Sequence, residues 1–267
     1  MLAVSARTLD RLLAPWRGAR RRRGGTKPGR GLRQSIPLRG AWTEEGPGGL
    51  ELDTVALCGG PLDDRHLWRL DAVDIRTDWT EPRALENRGP HCTVTQLQDL
   101  EASLPFPLLG VDSDNGGEFI NHPVVAGTGQ RPKPVLFPRS RPYHKNDHAH
   151  VEQRNWTHVR QQLGDERYDH PPAGPRLNAR GKGARGRLQN HFLPPHKLEK
   201  KVRPHGRPTR VCGGAQTPRA RVRAAPQVAG EKKVELKTLH ARRNPFPLHR
   251  DSERQKKEIQ ALRLFPA

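Results

Sequence analysis

The chain has 267 residues and is strongly basic, with 48 Lys and Arg against 28 Asp and Glu, a formal net charge of +20 and a pI near 11.0. Only 33% of the residues are hydrophobic, and 26 Gly and 26 Pro are present, which predicts that much of the chain is loop or arm. No apolar run approaches the roughly 20 residues of a membrane span, and the cysteines, Cys58, Cys92 and Cys212, lack the CxxC spacing of a zinc ribbon. We therefore expect a cytoplasmic protein with no membrane partner and no disulfide framework.

The positive charge is concentrated at the two ends of the chain. Residues 1–49 carry 11 Lys and Arg against 3 Asp and Glu, residues 50–171 carry 13 against 19, and residues 172–267 carry 24 against 6. This is the layout expected when a metal-binding core is held against a polyanion, because each Lys or Arg that meets a phosphate releases a counterion. The sequence therefore predicts DNA as the partner.

The predicted elements begin with a helix at 5–14 and a basic arm at 17–31. From Gly49 the pattern changes to the alternation of apolar and polar residues that is typical of strands. It predicts strands at 50–60, 67–75 and 80–86, a helix at 92–103 and a fourth strand at 105–114. Such an order favours a mixed sheet with helices on both faces.

Two later segments carry conspicuous acids. VDSDNGGEF at 111–119 follows an apolar run, and its Asn-Gly pair is by itself an ordinary turn signal. In the segment 146–160, a helix is predicted in which Glu152 precedes the apolar stripe of Trp156, Val159 and Leu163. An unpaired carboxylate on such a face is costly, so the two acidic segments are candidates to share a divalent metal.

These segments, DSDNGGEFIN at 112–121 and SRPYHKNDHAHVEQRNW at 140–156, resemble the core of the DDE integrases and transposases of bacterial insertion sequences, which are relatives of the retroviral integrases. The resemblance implies a ribonuclease-H-like α/β fold, with a mixed five-stranded sheet and flanking helices. It also implies that Asp53, Asp114 and Glu152 are the catalytic acids and hold two Mg²⁺ or Mn²⁺ ions. Asp53 lies in the first predicted strand, Asp114 directly before Asn-Gly, and Glu152 directly before Gln153.

The choice of acids leaves alternatives open. Asp71 and Asp74 could replace Asp53 as the first acid, although both lie in the second predicted strand. Asp112 would point to the same side as Asp114 if the fourth strand continues.

Several polar residues near the acids are predicted to contact DNA. His144, His148 and His150 do not have the spacing of a zinc helix and are more simply explained as donors to DNA. The proposed DNA-binding residues, each of which could instead be an ordinary surface group, are Asn115, Lys145, Arg154, Asn155 and Arg160.

We therefore predict a basic N-terminal arm at 1–48 that is the remnant of a DNA-binding region, a catalytic core at 49–171, and a basic C-terminal region with terminal helices at 172–267. The predicted function is DNA integration or transposition by phosphodiester hydrolysis and strand transfer, carried out by a nucleoid-associated homo-oligomer on DNA. One alternative is a metal-dependent nuclease of the same fold. Another is an inactive remnant that only binds DNA or is not stably folded, because the stretch 126–138 is rich in Gly and Pro. The longer stretch 122–138 is predicted to be unable to form a good helix.

Overall fold

The computed structural model describes residues 8, 12, 30–38, 46–59, 65–113, 116–138, 159–202 and 209–262. The strands are β1 (Gly49–Leu57), β2 (Leu67–Asp74), β3 (Thr80–Leu85), β4 (Gly110–Ser113), β5 (Leu198–Val202) and β6 (Thr209–Cys212). The helices are α1 (Arg30–Ser35), α2 (Pro90–Ser103), α3 (His122–Gly129), α4 (Gln161–Leu163), α5 (Ala173–Arg180), α6 (Gly186–Phe192), α7 (Pro218–Ala224), α8 (Gly230–Ala241) and α9 (Pro245–Gln260). A kinked segment, Gly181–Arg185, joins α5 to α6.

The main sheet has the strand order β3-β2-β1-β4. Strand β2 runs antiparallel to both β1 and β3, whereas β1 and β4 are parallel. The predicted strands and the helix before the fourth strand are confirmed. Strand β4 is shorter than predicted, since Pro105 and Pro107 precede it and lack the N–H group that a ladder needs. A parallel bridge joins Gly110 of β4 to Leu136, on the side away from β1.

The two faces of the sheet are covered by different parts of the chain. Leu50 and Leu52 of β1 belong to an apolar cluster that includes residues of α2, α3, α7 and α8. Val55 and Leu57 of the same strand belong to a second cluster with residues of α4, α5 and α9. Because side chains alternate along a strand, β1 supplies the core on both faces of the sheet. The small β5–β6 sheet is antiparallel.

The prediction that residues 122–138 cannot form a good helix is wrong. Helix α3 occupies the first part of this stretch, and Pro123 lies in its first turn, where a missing N–H is tolerated. The helix is held by Val124 and Thr128, which are buried, and the Oγ1 of Thr128 donates to the Val124 carbonyl over 3.1 Å. After the helix the chain returns to β4, where the amide of Val111 donates to the Leu136 carbonyl.

The start of α3 provides a test of this helix. The Asn121 side chain accepts a hydrogen bond from the Val124 amide at 3.0 Å, and its Nδ2 donates to the Glu118 carbonyl at 2.7 Å. We expect Asn121→Ala to lower the free energy of unfolding by about 1–2 kcal/mol, the usual cost of losing such a cap. Chemical denaturation of Asn121→Ala and of His122→Ala measures it. His122 is exposed, so its substitution should cost less than about 0.5 kcal/mol. Equal costs for the two variants would contradict a capped helix.

Two further properties concern the described residues as a whole. None of the helices in these ranges is long and apolar enough to cross a membrane. Cys58, Cys92 and Cys212 are free thiols.

Candidate active site on the central strand

Asp53 lies in the middle of β1, the strand flanked by β2 on one side and β4 on the other. Its side chain is half-buried, and Oδ1 accepts a hydrogen bond from the Thr54 amide at 2.8 Å. Across the antiparallel ladder it stands opposite Asp71. Directly opposed residues project from the same face of a sheet, and here that is the face of the cluster containing Val55.

The parallel register of β1 and β4 relates Asp53 to the DNGGEF motif. The last pair in this register is Leu52 with Ser113. Asp53 directly follows Leu52 in sequence, and Asp114 directly follows Ser113. The two strands run in the same direction. Asp114 itself lies outside the described residues.

The same face carries two more acids that are almost completely buried. Glu51 and Asp112 are partners in the β1–β4 register, with 1% and 0% of their surfaces exposed. The prediction that Asp112 shares a side with the candidate acids agrees with this register. Carboxylates are placed inside a protein only where cations, donors or a metal compensate them, so this end of the sheet is an unusually acidic interior.

The competing acids on β2 have structural tasks instead. Asp71, which is fully buried, accepts from the Arg69 Nε at 2.9 Å. Asp74 is also fully buried and accepts from the amides of Gly48 and Thr77 at 2.8 and 2.7 Å. Burial raises the pKa of the Asp74 carboxyl, and these hydrogen bonds oppose that rise. Asp74 faces Leu50 across the ladder and therefore points away from Asp53, which leaves Asp53 as the better candidate.

Glu118, which the sequence did not single out, ties the acidic loop to the central strand. Its Oε1 accepts from the Thr54 hydroxyl at 2.8 Å and from the Arg88 Nη1 at 3.3 Å. The Arg88 guanidinium in turn lies 4.0 Å from the centre of the Trp68 ring. Thr54 directly follows Asp53, so Glu118 links the segment after Asp114 to the strand that carries the first candidate acid. The sequence signal that could have identified Glu118 is its position immediately before the apolar pair Phe119–Ile120.

The apolar stripe predicted after Glu152 lies on the Asp53 face where it is described. Val159 and Leu163 are both fully buried in the cluster that contains Val55. The Leu163 carbonyl accepts from the Tyr168 hydroxyl at 2.9 Å. Residues 159–163 are thus anchored against the face of the sheet from which Asp53 projects.

The remaining predicted site residues divide into one that is placed and several that are not. Arg160 is half-exposed and forms an ion pair with Asp165, Nη1 to Oδ1, at 2.9 Å. Its contact with DNA stays a prediction. Outside the described residues lie Asp114, Asn115, His144, Lys145, His148, His150, Glu152, Arg154, Asn155 and Trp156. Within the ranges that are described, no three His, Cys, Asp or Glu side chains form a group able to hold a metal ion.

The comparison with curated proteins finds a relative of this chain. The chain is similar to the uncharacterized protein y4rM of Sinorhizobium fredii, with 36% identity over 216 residues. The alignment covers 76% of this chain and 58% of that protein, so the chain spans less than two thirds of the relative's length. No family model matches the sequence.

Proposed function

We propose that this protein is a DNA integrase or transposase of the DDE type, built on a ribonuclease-H-like core. The observation that carries the proposal is the parallel register of β1 and β4, in which Leu52 pairs with Ser113 and the next residues in sequence are Asp53 and Asp114. An antiparallel β1–β2–β3 unit followed by a helix and a parallel β4 supports the same fold. The parallel bridge from Gly110 to Leu136 is the expected position of a fifth strand.

Asp53, Asp114 and Glu152 are the proposed catalytic acids. The half-buried carboxylate of Asp53 and the buried acids around it suit a divalent cation, for which oxygen ligands are preferred. Two Mg²⁺ or Mn²⁺ ions, when bound, would neutralise charge on the attacking and leaving oxygens of a phosphodiester. Val159 and Leu163, packed on the Asp53 face, support the assignment of Glu152 to the same site because they follow it on one predicted stripe.

Hydrolysis and strand transfer differ only in the nucleophile. Attack by water on a phosphodiester gives a nicked strand and a free 3′-hydroxyl. Attack by that 3′-hydroxyl on a second phosphodiester forms a new bond and expels the 3′-oxygen of the target, so the total number of phosphodiester bonds is unchanged. The proposed partner is therefore DNA, bound as element ends and as target, by a homo-oligomer associated with the nucleoid.

The basic ends of the chain support DNA as the substrate. Residues 172–267 alone carry 24 Lys and Arg against 6 Asp and Glu. In the described part of this region, α7 and α8 pack on one face of the sheet and α9 on the other, since Val222, Leu236 and Ile259 are buried in its two apolar clusters. The cationic region is thus attached to the core that carries Asp53.

The assay that tests the proposal offers the full chain a duplex carrying the terminal sequences of its own genetic element, with a supercoiled plasmid as target. We expect Mg²⁺- or Mn²⁺-dependent nicking at the ends, followed by joining to the plasmid. Nicking without joining would assign the chain to the metal-dependent nucleases. Salt-sensitive DNA binding without either reaction would assign it to the inactive DNA-binding remnants. Helix α3 covers residues 122–129, so the Gly and Pro residues in that part of the stretch do not prevent a helix.

A further inference from the structure

Arginine and histidine side chains converge where α6, α7 and α8 meet. The arginine–histidine cluster, as we call it, consists of Arg187 and His191 of α6, Arg219 and Arg223 of α7, His240 of α8, and Arg243 just after α8. Helices α7 and α8 pack on the sheet face opposite to Asp53, through Val222 and Leu236. The cluster is therefore distinct from the acidic face.

Aromatic rings fix the geometry of the cluster. The rings of His191 and His240 are stacked, with their centres 5.7 Å apart and an angle of 11° between their planes. Phe192 stacks on His240 at 4.7 Å, and Trp79 meets His191 edge-on at 6.0 Å. Arg243 approaches the Nε2 atom of His191 through its Nη1. Packed rings thus hold the two histidines in place, and Arg243 is held against one of them.

The charges in the cluster repel one another. Burial, and then the positive charges of Arg243, His240, Arg219 and Arg187, lower the pKa of His191 to about 3. Burial and neighbouring arginines also lower the pKa of His240, Arg219 and Arg243. The named causes of these shifts are burial and neighbouring cations. By contrast, Arg221 on the same helix α7 forms an ion pair with Asp78.

Buried nitrogen atoms in the cluster also lack hydrogen-bond partners. Among the described residues, no hydrogen-bond partner is present for the Nε atoms of Arg219 and Arg223 or for the Nδ1 atoms of His191 and His240, all of which are buried. His191 as a whole is only 3% exposed. Buried polar groups are nearly always hydrogen-bonded in folded proteins, so several unmet donors in one place point to an absent acceptor.

A cavity adjoins the cluster. Its volume is about 260 Å³, and it is lined by Arg187, His191 and Arg243, with Lys182 and Lys232 at its walls. Two acids also line it, but both are engaged. Glu81 accepts from Arg83 at 3.0 Å, and Glu235 accepts from Lys232 at 2.8 Å.

We propose that the arginine–histidine cluster binds a phosphate group, and that the cavity beside it admits the rest of the phosphorylated molecule. A phosphate offers several acceptor oxygens and negative charge, which supplies what the unmet donors and repelling cations lack. Either a DNA backbone or a small phosphate compound provides this chemistry. The interpretation that the phosphate belongs to DNA rests on the proposed function, whereas the proposal of a phosphate site does not.

The test uses the full chain with the double variant Arg187→Gln/Arg243→Gln. The matched control, Arg250→Gln/Arg254→Gln, removes the same charge from α9, where Arg254 is exposed and already paired with Asp251 and Glu258. Thermal unfolding is followed in inorganic phosphate and in chloride at equal ionic strength. Phosphate is expected to stabilise the wild type and the control but not the cluster variant. In chloride the cluster variant should unfold at the same or a higher temperature, because repulsion has been relieved.

The second arm measures duplex DNA binding by fluorescence anisotropy over a range of NaCl concentrations. Removing two phosphate-contacting arginines should reduce the slope of log affinity against log salt by about 2. The control should change it by much less. Loss of phosphate stabilisation together with this reduced slope assigns the site to the DNA backbone. Loss of phosphate stabilisation with an unchanged slope assigns it to a small phosphate compound.

The inference is overturned if phosphate stabilises the cluster variant as much as the wild type and the DNA slope is also unchanged. If the double variant does not fold, Arg187→Gln alone replaces it, since the Arg187 side chain is exposed. A wild type that binds no DNA would contradict the proposed function, but the phosphate arm would still decide whether the cluster is a phosphate site.

Discussion

Arg83→Ala is expected to lower the free energy of unfolding by about 3–5 kcal/mol, the range found when one partner of a buried ion pair is removed. The Arg83 side chain is fully buried between β3 and α2. Its Nη1 donates to Glu81 at 3.0 Å, its Nε to Asp99 at 2.5 Å, and its Nη2 to the Ser103 hydroxyl at 2.7 Å. Without it, the buried carboxylate of Glu81 would lose its ion-pair partner and keep the hydrogen bond from the indole N–H of Trp79. Urea denaturation at neutral pH measures the loss.

The stability deficit of Arg83→Ala, meaning its loss of unfolding free energy relative to the wild type, should depend on pH, which provides an independent check. Burial raises the pKa of the Glu81 carboxyl, although Arg83 opposes the rise. Removal of Arg83 should raise that pKa further. When the pKa of a carboxyl is higher in the folded state than in the unfolded state, its contribution to stability is fully present at a pH below the unfolded-state pKa. That contribution is lost as the pH rises through the folded-state pKa. The deficit of Arg83→Ala should therefore shrink as the pH falls from neutrality towards the unfolded-state value of Glu81.

A matched arginine distinguishes burial from simple loss of charge. Arg254 forms two ion pairs on α9, but its side chain is 61% exposed. We expect Arg254→Ala to cost less than about 1 kcal/mol, because exposed ion pairs contribute little. A deficit for Arg83→Ala that is no larger, or that is independent of pH, would contradict the ion-pair role of Arg83.

Arg83 also shows where the sequence stops being informative about the fold. Alternation predicted a strand at 80–86, and β3 is Thr80–Leu85. The alternation rule places successive side chains of a strand on opposite faces of the sheet, and it expects charged side chains to face water. Every residue of β3 is buried, since α2, α5 and α6 cover it with residues distant in sequence. Asp99 and Ser103, which receive the guanidinium, lie on α2 and could not be identified from the strand alone.

Helix α3 illustrates a second limit. Helix propensity counts Pro123, Gly127 and Gly129 against a helix in this stretch, and the prediction failed for that reason. Propensity is overridden here by the cap from Asn121 and by burial of Val124 against the sheet. The order of the strands needed no such tertiary information, because β1, β2 and β3 are neighbours in sequence with alternating apolar residues.

The candidate site shows the same division. The strand around Asp53 could be predicted from local alternation, whereas the choice of Asp53 as the first acid rested on the resemblance and stays a prediction. Glu118 could not be predicted in this way, because its contacts with Thr54 and Arg88 join residues 64 and 30 positions apart. The arginine–histidine cluster was equally hidden, since its members are spread over three helices and appear in the sequence only as a general excess of positive charge.

Asp53→Asn is expected to reduce metal-dependent nicking and joining by about a thousandfold or more, the scale on which loss of one group stabilising transition-state charge is felt. The substitution preserves size and removes only the charge that a divalent ion needs. DNA binding should be retained or strengthened, because the acidic face becomes less negative. Oligonucleotide nicking under single-turnover conditions measures the first effect, and anisotropy the second. The fold should tolerate the change, since Asp53 is half-buried and the amide of Thr54 can donate to the Asn oxygen as it does to Asp.

Asp71→Asn is the control that separates a catalytic acid from a structural one on the same face. Asp71 stands opposite Asp53 in the ladder and differs from it in being fully buried against Arg69. Its neutralisation leaves Arg69 facing an amide, so we expect a loss of stability of about 3 kcal/mol with activity per folded molecule largely preserved. Asp53→Asn should give the reverse result, a stable protein without turnover. Full activity in Asp53→Asn together with loss in Asp71→Asn at equal folded fraction would move the first acid from β1 to β2. In that case the parallel register of β1 and β4 would have no role in catalysis. That register brings the first acid next to the acidic motif only if the acid is Asp53, which follows the Leu52–Ser113 pair.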